Sequence, residues 1–203
     1  MPLLKTETMK RIEKIIVKIS IVSILLNFFL FPGGITLTFF SFLFLAIIYF
    51  AFSLSLFIDI KSTNMFLKSN YKDISWNMII GVICFGISLS FVNIGILFKL
   101  VADIDATFFL IVGLFGLAIT TVIGVIKYLN SNSKVFIPIF ERIAVFGIIG
   151  LLLLLTPKST YIDAKYRNHK DYANAVKNLI LDPTNEDLQK IVDNEKTKME
   201  QSE

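Results

Sequence analysis

Ten polar or small residues recur at helical spacing inside the most apolar part of this 203-residue sequence. Ser, Thr and Asn side chains at such positions hydrogen-bond across helix contacts or line a solute pathway, and Gly lets helices approach closely. The ten residues are Ser20, Ser23, Asn27, Gly86, Ser90, Asn93, Gly113, Gly116, Thr120 and Gly124. Their spacing favours helix packing, and a lined pathway for a solute or an ion is the alternative.

Residues that could carry catalysis are few. Glu141 and Arg142 are adjacent near the start of the last apolar run, where they can reach lipid headgroups, and no Asp or Glu falls in the middle of any run. His169 lies among polar residues, which predicts a solvated surface side chain, and Cys84 is interpreted as a small apolar residue. One histidine and one cysteine exclude a His/Cys metal cluster and an intrachain disulfide. We therefore expect no enzyme, no metal and no cofactor.

The elements that must position these residues are apolar runs. Hydrophobic residues make up 55% of the sequence and charged residues 18%, against roughly 45–50% and 25% in soluble domains. Five runs contain the excess, at 15–31, 35–58, 77–100, 108–126 and 138–156. At about 1.5 Å per residue, the four longer runs match a hydrocarbon core of about 30 Å. The first run carries Lys18, so it crosses only if that side chain reaches the headgroups, and an interfacial helix is the alternative.

The sequence thus predicts an all-α fold, an integral membrane bundle of five transmembrane helices, or four if the first is interfacial. Pro32-Gly33-Gly34 joins the first two runs and predicts an antiparallel hairpin. A shift of 72 residues superposes Ile24–Ile47 on Ile96–Ile119, which favours a second copy of that hairpin in the third and fourth runs. The second run is rich in Phe, and we expect it to be more exposed to lipid than the others.

The distribution of Lys and Arg predicts the orientation. With the N-terminus in the cytoplasm, eleven cations flank the inner ends of the runs and five flank the outer ends. Because cytoplasmic loops carry the excess of Lys and Arg, this count places the N-terminus inside and the C-terminus outside. Trp76, Tyr71 and Tyr128 lie at inner ends and are expected to anchor the helices at the interface.

The first hairpin resembles a known membrane segment. Leu25-Leu26-Asn27-Phe28-Phe29-Leu30-Phe31-Pro32-Gly33-Gly34 is similar to the transmembrane hairpin of GldL, the inner-membrane gliding and secretion motor subunit of Bacteroidota, and to uncharacterised small multi-spanning membrane proteins of that phylum. The resemblance implies a bacterial inner-membrane setting. A GldL-like motor would also carry an intramembrane glutamate and a long cytoplasmic domain, and the sequence departs from that pattern on both, so motor activity is not implied.

Residues 157–203 form a polar tail in which the apolar spacing predicts two short helices, a helical hairpin. Asp182-Pro183-Thr184-Asn185 separates them and supplies a cap for the second helix. We expect this tail either to be solvated or to dock a protein partner. The sequence favours a non-enzymatic structural or assembly component whose partners are the lipid bilayer and a protein bound through the tail, with no nucleic acid. A small transporter or channel subunit that uses the polar faces of the first, third and fourth runs is the alternative.

Overall fold

The structure is a computed structural model that describes residues 6–29, 31–58, 74–101, 106–131 and 136–202. These residues form eight helices and no strand, which confirms the predicted all-α fold. Two compact units divide the chain, Met1–Leu154 and Leu155–Glu203. Part of the predicted orientation rests on Lys5, Lys61, Lys68, Lys72 and Lys134, and one predicted anchor is Tyr71; these six lie outside the described residues.

The first unit consists of long apolar helices. Its five helices are α1 (Thr6–Phe28), α2 (Gly34–Phe57), α3 (Trp76–Val101), α4 (Thr107–Ser131) and α5 (Phe136–Leu155). Among the described residues, α2 to α5 are the four helices long and apolar enough to cross a membrane. Charged residues in the first half of α1 lower its hydropathy, so the four-helix membrane bundle is shown and the fifth crossing stays a prediction.

The hairpin of α1 and α2 forms as the turn sequence predicts. Gly33 has a φ of 82°, in the left-handed region that glycine adopts without strain. A Cβ on Gly34 would lie 2.9 Å from the carbonyl carbon of Leu26, so the absence of a side chain there lets α2 start against the end of α1. Hydrogen bonds join Thr38 to Ser23 and Tyr49 to Glu13, so the two helices run antiparallel side by side.

The first helix starts earlier than the apolar run that predicted it. The run begins at Ile15, whereas α1 begins at Thr6 and ends at Phe28. The extra N-terminal turns are rich in Glu, Lys and Arg, which are good helix formers that hydropathy alone does not detect. As a result Glu13 lies within a helix of the bundle instead of in a loop before it.

The prediction that the second run is the most lipid-exposed is wrong. Within the most apolar stretch of each helix, 39% of residues are buried in α2 and 61% in α3, against 22% in both α4 and α5. The reason is position: α1 packs along one side of α2 and α3 packs along it as well, so Phe42 and Phe57 are buried despite the Phe-rich composition.

The last helix of the first unit, α5, changes its winding. It is α-helical over Phe136–Arg142, a π-helix over Ile143–Gly147 and α-helical again over Ile148–Leu155. Short π segments inside α-helices are rare and occur frequently at functional sites. The buried side of α5 includes Ile139, Arg142 and Phe146, so a charged residue lies among the apolar ones just before the π segment.

The second unit contains three helices, α6 (Lys158–Lys165), α7 (Lys170–Leu181) and α8 (Glu186–Ser202). The prediction of two helices is therefore wrong before residue 182. The chain leaves the helical conformation between Tyr166 and His169, where Asn and His have low helix propensity. The predicted cap is confirmed, because Asn185 Oδ1 accepts hydrogen bonds from the backbone N–H groups of Asp187 (3.1 Å) and Leu188 (3.2 Å).

Candidate functional site

The polar residues predicted on α1 lie in contacts between helices. Ser20, Ser23 and Asn27 are all buried. The hydroxyls of Ser23 and Ser41 are 3.3 Å apart, and Asn27 Nδ2 donates to the carbonyl oxygen of Leu100 at 3.1 Å. These bonds join α1 to α2 and to α3, which is the packing role that the spacing favours.

The predicted glycines on α3 and α4 are places where helices nearly touch. A Cβ on Gly86 would lie 2.4 Å from Ser53 Cβ, and one on Gly113 would lie 2.6 Å from the backbone nitrogen of Val92. On Gly116 it would lie 2.1 Å from Ser88 Oγ. All three separations are shorter than real Cβ atoms show. Gly86 and Gly113 lie against backbone atoms and set the spacing of α3 against α2 and α4, whereas Gly116 faces the tip of the Ser88 side chain.

The other predicted residues do not meet in one place. Ser90 and Asn93 are buried, and Asn93 Nδ2 donates to Leu89 of its own helix at 2.7 Å. Thr120 Oγ1 donates to the carbonyl oxygens of Gly116 and Leu117 within α4. Gly124 has more room, since a Cβ there would lie 3.5 Å from the ring of Phe140.

Thr120 and Gly124 share a small cleft between α3, α4 and α5. Its volume is about 60 Å³, room for only a few water molecules. Most of the lining is apolar: Asn77, Met78, Gly81, Val82, Phe85, Thr120, Ile123, Gly124, Lys127, Phe136 and Ile139. Neither Asn27 nor Asn93 lines this cleft, so it does not connect the polar residues of the predicted pathway.

A buried ion pair that the sequence did not predict lies between α1 and α5. Glu13 is 1% exposed and Arg142 is 8% exposed. Arg142 donates from Nε to Glu13 Oε1 at 2.9 Å and from Nη2 to Glu13 Oε2 at 2.5 Å. Two parallel N–H···O bonds of this kind are the strongest geometry available to an Arg–carboxylate pair.

Further side chains complete the surroundings of the pair. The hydroxyl of Tyr49 on α2 donates to Glu13 Oε1 at 2.8 Å, and Arg142 Nη1 donates to the carbonyl oxygen of Pro138 at 2.8 Å. The guanidinium carbon also lies 5.5 Å from the centre of the Phe57 ring. Three donated hydrogen bonds thus converge on the Glu13 carboxylate and join α1, α2 and α5 at one point.

The depth of this cluster follows from helix geometry. Arg142 lies six residues after the start of α5 and Tyr49 lies eight residues before the end of α2. At 1.5 Å per residue these positions are about 9 Å and about 12 Å from the helix ends. Ionisable groups buried inside a membrane helix bundle are expensive and are kept in pairs, as they are here.

Because Arg142 is buried against Glu13, the prediction that it reaches the headgroups is wrong, whereas Glu141 is exposed, with its carboxylate 3.7 Å from Arg142. A signal for the pair existed in the sequence. Glu13 lies seven residues before Ser20, which lies seven before Asn27, so the carboxylate continues the polar stripe of α1 by two turns.

The second unit has its own polar pocket, of about 260 Å³ and lined by His169, Asp171, Glu195 and Lys198 among others. The hydrogen bond from Lys198 to Glu195 raises the pKa of the lysine, which stays charged at neutral pH. His169 is half-buried there. Within the described ranges, no three His, Cys, Asp or Glu side chains are placed to hold a metal ion.

No family model matches this chain, and neither the curated proteins nor the solved structures compared with it give a match. Any functional proposal for this chain must therefore be argued from the geometry of the structure. The described part of the first unit contains hydrogen bonds between helices, a buried ion pair that joins α1 to α5, and small, largely apolar clefts. Such an arrangement can hold helices in a fixed relation and can bind lipid.

Proposed function

We propose that this protein is a non-enzymatic structural or assembly component of a bacterial inner membrane. The observation that carries the proposal is that the predicted polar and small residues make contacts between helices. Ser23 and Asn27 form hydrogen bonds to neighbouring helices, and Gly86 fills a close helix contact instead of opening a passage. A bundle joined in this way is suited to presenting a fixed surface to another protein.

The proposal includes five crossings, with the N-terminus in the cytoplasm and the C-terminus outside. Its support is the course of α1, which follows α2 from the turn at Gly33 to the bond between Tyr49 and Glu13. An interfacial helix would lie across the end of α2 instead of along it. The exposed cations Lys14 and Lys18 lie away from the buried stripe, where their ammonium groups can reach headgroups.

A partner protein is proposed to bind the second unit. Leu181 is 84% exposed, and Ile180 and Ile191 are exposed as well. Large apolar side chains exposed on a polar helical segment support a protein contact there. The proposed contact thus uses the end of α7 and the middle of α8.

A photo-crosslinking amino acid at Leu181 tests this proposal in the native membrane. We expect one discrete crosslinked species of fixed size. The matched control is the same amino acid at Gln189, an exposed polar position on α8, which should give none. Equal products at both positions, or none at Leu181, would argue against a partner at this surface.

Transport is a second candidate, favoured by one observation. Among the described buried side-chain atoms, Asn93 Oδ1 and Ser55 Oγ have no hydrogen-bond partner. An unpaired acceptor inside a membrane bundle is the kind of group that a translocated solute could bind. Proteoliposomes test this: saturable uptake of an ion or solute that Asn93→Leu abolishes would favour transport over the structural role, whereas flux equal to that of empty vesicles is our expectation.

A further inference from the structure

A crevice between α1 and α5 opens beside the buried ion pair. Its volume is about 200 Å³. Both helices contribute charged and apolar residues to its largely apolar wall, and the lining is Glu13, Lys14, Val17, Lys18, Glu141, Arg142, Val145 and Phe146. This combination differs from the apolar cleft between α3, α4 and α5, and neither the packing role nor the proposed partner contact uses it.

The charge of the crevice can be counted from its contacts. Glu13 and Arg142 neutralise each other through two hydrogen bonds. The remaining charged groups are two cations, Lys14 and Lys18, and one anion, Glu141, which leaves a net charge of +1. Lys14 and Lys18 are four residues apart, so their side chains project from the same face of α1, one turn from each other.

We propose that this crevice binds one anionic phospholipid of single negative charge. Its phosphate lies between the ammonium groups of Lys14 and Lys18, and an acyl chain runs over Val17, Val145 and Phe146. The net charge of the site complements one phosphodiester, and Val17, Val145 and Phe146 offer an apolar wall to the chain. Basic pockets between membrane helices recognise anionic headgroups in this way. The assignment rests on the proposed crossing of α1, and it holds for the structural role and for transport alike.

The proposal is tested by native mass spectrometry on the full chain in detergent, titrated with phosphatidylglycerol or with phosphatidylcholine. We expect phosphatidylglycerol to bind at least about tenfold more tightly than phosphatidylcholine, because only the former matches the charge of the site. In the double variant Lys14→Gln/Lys18→Gln, the affinity for phosphatidylglycerol should fall about tenfold or more.

Two further variants separate a built site from general surface charge. Lys10→Gln/Arg11→Gln removes the same charge from the same half of α1 outside the crevice, and its affinity should stay within about twofold of the wild type. Val145→Trp fills the apolar wall without changing charge, and it should weaken binding about tenfold. Equal losses in the two double variants, unchanged binding in Val145→Trp, or equally tight phosphatidylcholine would each overturn the proposal.

Discussion

Removing one partner of the buried ion pair should lower the free energy of unfolding far more than removing both partners. In Glu13→Leu, Arg142 keeps its charge at 8% exposure beside only the exposed Glu141 carboxylate, 3.7 Å away, and Tyr49 loses the acceptor of its 2.8 Å bond. An uncompensated buried charge costs about 3–5 kcal/mol of unfolding free energy. Arg142→Met leaves Glu13 unpaired and should cost about as much. In the double variant neither charge remains, so its free energy of unfolding should lie within about 2 kcal/mol of the wild type.

The assay is unfolding of the purified protein by SDS in mixed micelles, followed by circular dichroism. The matched control is Glu141→Leu, which removes the neighbouring acid, exposed and 3.7 Å from Arg142. Because exposed pairs contribute about 0–1 kcal/mol, this variant should unfold almost as the wild type does. Costs of Glu13→Leu and Arg142→Met that simply add in the double variant would refute the reasoning, as would a Glu13→Leu cost no larger than that of the control.

The same unfolding measurement checks three smaller effects. Gly86→Ala should lower the free energy of unfolding by about 1–3 kcal/mol because its Cβ would overlap Ser53 Cβ. The matched Gly81→Ala, with nothing within 4 Å, should be neutral or up to about 1 kcal/mol more stable. Similar effects of the two substitutions would refute close packing at Gly86. Asn27→Leu should lose about 0.6–2 kcal/mol with its bond to α3, and no loss would remove that contact from the account. Asn185→Ala should lower the helix content of the second unit by fraying α8, at a cost of about 1 kcal/mol, and an unchanged spectrum would contradict its role as the cap.

Hydropathy and turn chemistry predicted most of the bundle. Long apolar runs define α2 to α5. A helix satisfies its own backbone hydrogen bonds in lipid, so the remaining requirement is that its side chains be apolar along the membrane-spanning length. The turn at Gly33 was predictable because a left-handed residue followed by a close approach of two helices requires glycine twice. The cap at Asn185 was predictable from local chemistry alone.

The ion pair was not predicted because its partners are 129 residues apart and each looks solvated in its own sequence context. Glu13 lies among Lys10, Arg11 and Lys14, and Arg142 lies beside Glu141. Hydropathy averages over all faces of a helix, so it places the start of the apolar run after Glu13. Only the seven-residue spacing from Glu13 to Ser20 showed that the carboxylate shares the buried face.

The break in the tail at Tyr166 was not predicted for a similar reason. The one-sided spacing continues across residues 162–180 and indicates one helix, but spacing does not report how weakly Asn168 and His169 favour helix. Local propensity outweighed periodicity there, because too little apolar area is available in so short a segment to hold the helix together.

The proposed crossing of α1 is the claim on which the depth of the ion pair, the orientation and the lipid site all depend. Single-cysteine variants test it most directly, with Glu7→Cys or Gln201→Cys introduced into a Cys84→Ser background. Spheroplasts, whose outer membrane is removed and whose inner membrane is intact, are treated with a membrane-impermeant maleimide. With five crossings, Gln201→Cys is labelled while the inner membrane is intact, and Glu7→Cys is labelled only after the inner membrane is permeabilised. Labelling of both cysteines under the same condition would mean an even number of crossings and would contradict the account.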